Sequence, residues 1–133
     1  FELVNQIQDG KHGNKNALFG GICRLAGKAE TYAPIQVADD VLEYQIDVNM
    51  AIGRELGDMI PGGELARRCA GIQCPVTAIH GDYDPRPASD IDDVFKGKVK
   101  DYKLVLLEKC GHTPWLEKFA REEFFRVLCR EIA

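Results

Sequence analysis

The chain has 133 residues and a net charge of −4, with 45% hydrophobic and 29% charged residues, a balance typical of one soluble globular domain. It carries no basic stripe of the kind that binds nucleic acid, and no apolar run approaches the ~20 residues that cross a bilayer. We therefore expect neither a nucleic acid nor a membrane among its partners.

The cysteines and the N-terminal residue bear on where the protein works. Five scattered cysteines without a C-x-x-C pair argue against a disulfide framework and against a zinc site. We expect reduced cysteines and a cytoplasmic location. The first residue is Phe1, without an initiator methionine or signal pattern, so we expect a chain trimmed or cut from a longer protein.

The first half of the chain favours helices and loops. Residues 10–21 contain four glycines and two asparagines, which predicts a loop. Apolar residues at near-helical spacing predict one helix, or two short ones, over about 40–59, with a cap at Asp39 or Asp40. A short helix is predicted over 64–70.

From residue 72 the pattern alternates between strands and helices. Two short apolar runs bounded by breakers predict buried strands at 76–79 and 101–108. A weak helix is predicted over 88–98, and a strong amphipathic helix over 115–132. A strand–helix–strand–helix order implies parallel strands joined by a right-handed crossover.

Two such strands do not make a stable sheet by themselves. Parallel strands that are apolar on both faces need cover on each face and neighbours at their edges. We therefore expect these strands to belong to a larger sheet. We also expect the chain alone to expose a sheet edge and an apolar face, through which it could self-associate.

Candidate catalytic residues follow the two strands. Asp84 comes after the first strand and His112 after the second, and functional groups of open α/β sheets lie beyond this end of the strands. Gly81 and Gly111 precede them and are expected to permit tight turns and positive φ. A carboxylate on one imidazole nitrogen fixes the tautomer and stabilises the imidazolium. We predict that Asp84 orients His112, which acts as a general base.

Several neighbours offer alternatives. An aspartate before proline also opens turns, and a loop histidine can simply cap a helix. Asp82 could replace Asp84 as the acid, although a hydrogen bond to the loop backbone is the simpler interpretation. His80 and Cys110 are expected to be packed structural residues. Trp115 is expected to be the first core-facing residue of the last helix, with a place in a substrate pocket as the alternative.

The segments "CPVTAIHGDYDP" and "YKLVLLEKCGHTPWLEKFAREEFFRVLCREI" resemble the C-terminal part of an α/β-hydrolase fold enzyme. A strand ending in G-x-x-D matches residues 81–84, the next strand ending in G-H matches 111–112, and an amphipathic helix closes the fold. Glu117 matches a carboxylate that the family often has near the start of that helix. The resemblance covers roughly residues 70–132.

The resemblance implies a partial α/β-hydrolase fold in the α/β class. Residues 71–133 would be the C-terminal βαβα unit of the core, and residues 1–70, helical in texture, resemble the cap of such enzymes. In the complete protein, Asp84 and His112 would serve the hydrolysis of an ester or amide bond in a small-molecule substrate, with no cofactor.

The family's order is nucleophile, acid, histidine, and the first of these has no match here. The chain contains neither a G-x-S-x-G elbow nor an HGGG-like oxyanion loop, and its only serine, Ser89, follows the acid. We therefore expect this chain alone to be inactive. The alternative is a non-enzymatic α/β binding module, for example a dimer. The sequence does not identify the substrate.

Overall fold

The computed structural model describes residues 14–35 and 43–133, which form a mixed α/β structure with five α-helices and a two-stranded sheet. No helix in these two stretches is long and apolar enough to cross a membrane. The elements in chain order are α1 (Lys15–Ala29), α2 (Ile46–Met59), α3 (Glu64–Cys69), β1 (Val76–Gly81), α4 (Ala88–Phe95), β2 (Tyr102–Leu107), a 3₁₀ turn (Pro114–Leu116) and α5 (Arg121–Ile132).

The sheet has the predicted parallel arrangement. β1 and β2 pair in register from Val76 opposite Tyr102 to Gly81 opposite Leu107, with α4 as the crossover between them. Because the last residues of the two strands are partners, both strand-end loops leave the sheet at the same edge. The βαβα order of the second half is confirmed.

The hydrophobic core lies where β1 and β2 meet the C-terminal region. Its buried residues are Leu107, Cys110 and Ala120, with partly buried Ile79, Val105 and Phe124 packed around them. The sheet is less well covered elsewhere, since Leu106 in β2 is 54% exposed. Apolar sheet surface is thus uncovered in the described structure, while self-association stays a prediction.

The loop prediction for residues 10–21 is wrong from Lys15 onward, where α1 begins. The Asn14 side chain caps this helix by accepting a hydrogen bond from the Ala17 N–H at 3.0 Å. Gly20 is buried within α1 against the Tyr44 ring, and a Cβ at this position would come within 2.7 Å of that ring. The glycine therefore serves helix packing rather than a loop. Residues 10–13 lie outside the described part of the chain.

The helix predicted over 40–59 begins at Ile46 in the structure. The proposed caps Asp39 and Asp40 lie outside the described residues. The Ile46 N–H instead donates to the side chain of Asn16 at 3.1 Å, so a residue of α1 satisfies one N–H group at the start of α2. α4 also ends earlier than predicted, at Phe95.

The last helix begins at Arg121 and not at Trp115. The backbone of the preceding residues bonds across to another segment: Ile35 donates to the Leu116 carbonyl and Lys118 donates to the Ala33 carbonyl, both at 2.8 Å. These bonds replace helical ones. Trp115 is accordingly not a core-facing helix residue; it is 45% exposed and packs its ring against Phe124.

Candidate active site at the strand ends

The structure brings the two predicted site residues into contact. Nδ1 of His112 lies 2.7 Å from Oδ2 of Asp84. An ionised carboxylate only accepts hydrogen bonds, so Nδ1–H is the donor, and Nε2 is left as the basic nitrogen of a neutral imidazole. The Asp84 side chain is 3% exposed, whereas that of His112 is half-exposed. A buried acid thus holds an accessible base.

The loop after β1 keeps Asp84 ionised. Burial opposes ionisation, but it is outweighed by the Arg86 backbone N–H, the hydrogen bond from His112 and the charge of the Arg86 guanidinium, and the pKa of Asp84 is lowered. The Arg86 N–H donates to Oδ1 at 3.0 Å, and Arg86 Nε lies 3.3 Å from the same oxygen. Asp84 therefore carries the negative charge that an orienting acid needs at neutral pH.

Asp82 connects the two strand-end loops and does not take the place of Asp84 beside His112. Its Oδ1 accepts a hydrogen bond from the Cys110 N–H at 3.1 Å, as the backbone interpretation predicted. Backbone bonds reinforce the junction, since Tyr83 donates to the Cys110 carbonyl at 2.8 Å. These hydrogen bonds between the two loops hold Asp84 close to His112.

The glycines of the two loops serve close approach and not positive φ, contrary to that part of the prediction. A Cβ on Gly81 would lie 2.2 Å from the Cys110 carbonyl oxygen, and one on Gly111 would lie 2.0 Å from the Glu30 carbonyl oxygen. Neither glycine has positive φ; after β2 the left-handed residue is Lys109, with φ of 54°. Only glycine allows these backbones to meet.

Two residues that the sequence analysis missed hold the site from outside. The Glu30 carbonyl accepts the His112 N–H at 2.8 Å, and the Glu30 carboxylate accepts from Arg86 at 3.0 Å. The bond between Arg86 and Asp84 is a local turn contact. The sequence offers a signal for it, because an aspartate often accepts a hydrogen bond from the backbone N–H two residues later. Glu30 had no such signal, because it lies 56 residues before Arg86.

Glu117 is a buried carboxylate with three backbone donors. It is 0% exposed; Oε1 accepts from the Tyr32 and Gly111 N–H groups at 2.8 and 2.9 Å, and Oε2 accepts from the Ala33 N–H at 2.7 Å. Hydrogen bonds to a charged acceptor are among the stronger ones in proteins. Glu117 therefore fastens the segment after α1 to the residue that precedes His112.

His80 and Cys110 have the structural roles that were predicted. Nε2–H of His80 donates to the Arg86 carbonyl at 2.8 Å and stays 4.0 Å from Asp84, and the ring is buried. Cys110 is fully buried, and burial, with the nearby Glu117 carboxylate, raises the pKa of its thiol to about 11. A protonated, buried thiol is a poor nucleophile at neutral pH.

A cavity of about 450 Å³ adjoins the Asp84–His112 pair, and both residues contribute to its wall. Its other lining residues come mainly from α3, α4 and β1. Neither Trp115 nor Ser89 is among them; Ser89 is exposed in the first turn of α4. The site thus has an acid, a base and an adjoining cavity. The serine of the chain, Ser89, is not part of the cavity wall.

Within residues 14–35 and 43–133, no three or more His, Cys, Asp and Glu side chains are grouped as a metal site requires. No family model, curated protein or solved structure matches the chain. The geometry of the strand ends is therefore the basis for a functional proposal.

Proposed function

We propose that this chain is the C-terminal portion of a hydrolase of the α/β-hydrolase type and supplies the acid and the general base of its active site. The supporting observation is the 2.7 Å contact between buried Asp84 and half-exposed His112. The parallel pairing of β1 with β2 supports it further, because it delivers both residues to one edge of the sheet. The expected substrate is a small molecule with an ester or amide bond.

In this mechanism, His112 moves one proton in each half-reaction. As a nucleophilic hydroxyl attacks the substrate carbonyl, Nε2 takes its proton and then gives it to the departing alcohol or amine. Water next attacks the acyl intermediate, and His112 takes a proton from this water. His112 then returns the proton to the nucleophile's oxygen as the acid product leaves. Asp84 stabilises the imidazolium formed in each step. No cofactor is required.

The nucleophile in this proposal comes from another polypeptide segment. No serine, cysteine or aspartate of the chain stands in a G-x-x-x-G elbow of the kind the mechanism uses. The 133 residues by themselves are then expected to lack turnover, because both the nucleophile and the oxyanion donors are missing from them.

The test compares this chain with the product of the complete reading frame that encodes it. A fluorophosphonate probe is expected to label a serine of the complete product and to leave the chain unlabelled. In the complete product, Asp84→Asn is expected to lower kcat for ester hydrolysis about 10⁴-fold, and His112→Gln at least as much. Asp93→Asn, at an exposed position of α4, is the matched control. Labelling of Ser89, or full activity of His112→Gln, would contradict the proposal.

A second candidate is the non-enzymatic interaction module. It is favoured by the four apolar side chains that α2 exposes, namely Val48, Met50, Ile52 and Leu56. Sedimentation of the chain over a concentration series separates the candidates. A stable dimer that loses affinity on Ile52→Glu, together with an inactive complete product, would favour this second function.

A further inference from the structure

The cavity beside His112 has an apolar wall. α3 contributes Leu65 and Cys69 to it, and α4 contributes Ile91, Val94 and Phe95. The cavity volume of about 450 Å³ is roughly three times the ~150 Å³ that accommodates a benzene ring. It falls within the range of small-molecule sites, which is about 300–1,000 Å³. The space suits a hydrocarbon group of medium length.

The polar residues in the wall are mostly committed to one another. His80 donates to the Arg86 carbonyl, the Arg86 guanidinium bonds Glu30, and Asp84 accepts from both Arg86 and His112. These bonds occupy Nε2 of His80, Nε and Nη1 of Arg86, and both carboxylate oxygens of Asp84. Nε2 of His112 is available to an occupant, because Asp84 uses only Nδ1 and the ring is half-exposed.

The charges in the wall disfavour an anionic occupant. The carboxylates of Asp84 and Asp90 outnumber the single Arg86 guanidinium, which is already paired with Glu30 and Asp84. A carboxylate or phosphate placed there would be repelled by these carboxylates, whereas an uncharged group would not be. An apolar wall and an available imidazole together describe a largely apolar ligand that is not an anion.

We propose that the cavity binds the apolar acyl or alkyl group of a neutral ester substrate and so brings its ester bond to His112. The proposal deepens the hydrolase function and rests on it, since a ligand of this cavity is a substrate only if the protein is a hydrolase. The binding step itself needs no nucleophile, so the chain can be tested for it without turnover.

The probes are methyl butanoate, methyl hexanoate and methyl octanoate, titrated into the chain while its methyl groups are followed by NMR. We expect shifts at the methyl groups of Leu65, Ile91 and Val94. Each added methylene is expected to tighten binding about fourfold until the cavity is full. Shifts spread over exposed methyl groups such as those of Leu25 and Ile132, or affinity independent of chain length, would overturn the proposal.

Two substitutions in the wall provide a second readout. Val94→Trp fills the cavity and is expected to abolish the chain-length dependence, while Leu25→Trp, at an exposed position of α1, leaves it unchanged. Should Val94→Trp not fold, Ile91→Ala enlarges the cavity and is expected to shift the affinity plateau to longer esters. Equal plateaus for wild type and Ile91→Ala would refute the assignment.

The outcomes separate this inference from the proposed function. Chain-length-dependent binding, combined with full activity of His112→Gln in the complete product, would support the binding site and contradict the catalytic pair. Loss of activity in His112→Gln without binding of any methyl ester would support the catalytic pair and contradict the binding site.

Discussion

Replacement of Glu117 should be among the most destabilising single changes at the site, although this residue does not touch the imidazole. Its carboxylate accepts hydrogen bonds from the backbone of Tyr32, Ala33 and Gly111, at 2.7–2.9 Å, and is 0% exposed. Removal of the acceptor leaves these N–H groups without their partner, at one buried bond (Gly111) and two part-buried ones (Tyr32 and Ala33).

The magnitude follows from the three bonds. In Glu117→Gln, the amide oxygen can keep the place of Oε1, but the NH₂ group then faces the Ala33 N–H, donor against donor. A buried unsatisfied donor costs about 1–3 kcal/mol, and the two remaining bonds lose their charge, so we expect a loss of about 3 kcal/mol. Glu117→Leu removes all three bonds, and we expect about 5 kcal/mol, a large share of the 5–15 kcal/mol typical of a domain.

Urea unfolding followed by circular dichroism measures the loss, and hydrogen exchange locates it. At about 1.4 kcal/mol per tenfold, the amides of Tyr32, Ala33 and Gly111 should exchange about a hundredfold faster in Glu117→Gln. The matched control is Glu123→Gln, which removes an exposed ion pair on α5 and should change stability by less than ~1 kcal/mol. Equal urea midpoints for wild type and Glu117→Gln would show that the three bonds do not hold the segment.

Further expectations concern the acid and the glycines. Because folding lowers the pKa of Asp84 below its usual 3.8, its stabilising contribution is present above that value and is lost as the pH falls through the lower folded value. The urea midpoints of wild type and Asp84→Asn should therefore differ at pH 6 and converge below pH 4, whereas Asp93→Asn should follow wild type; a pH-independent difference would contradict the ionised carboxylate. Gly111→Ala places a Cβ 2.0 Å from a carbonyl oxygen and should cost about 3 kcal/mol. Gly53→Ala, in α2 with nothing within 4 Å, should instead stabilise by up to about 1 kcal/mol, and similar urea midpoints for the two variants would refute the close-approach argument.

The amino-acid sequence determines the second half of the fold because its signals are local. Breakers such as Pro75 bound the short apolar runs, and one crossover of ordinary length forces the strands to be parallel. Once the strands are parallel and neighbouring, Asp84 and His112 must leave the same edge. Their 2.7 Å contact therefore follows from patterns that lie between Pro75 and His112.

The tertiary structure decides how the first half of the chain supports that site. Asn16 satisfies the start of α2, and Glu30 binds the backbone of His112. Glu117 binds backbone groups up to 85 residues away, and the bonds at Leu116 and Lys118 delay α5 until Arg121. None of these contacts leaves a periodic or local trace, because a single polar group meets a backbone N–H or C=O only after the elements have packed. Such contacts are energetically decisive because buried backbone groups must find partners, and only the folded chain determines which partners are within reach.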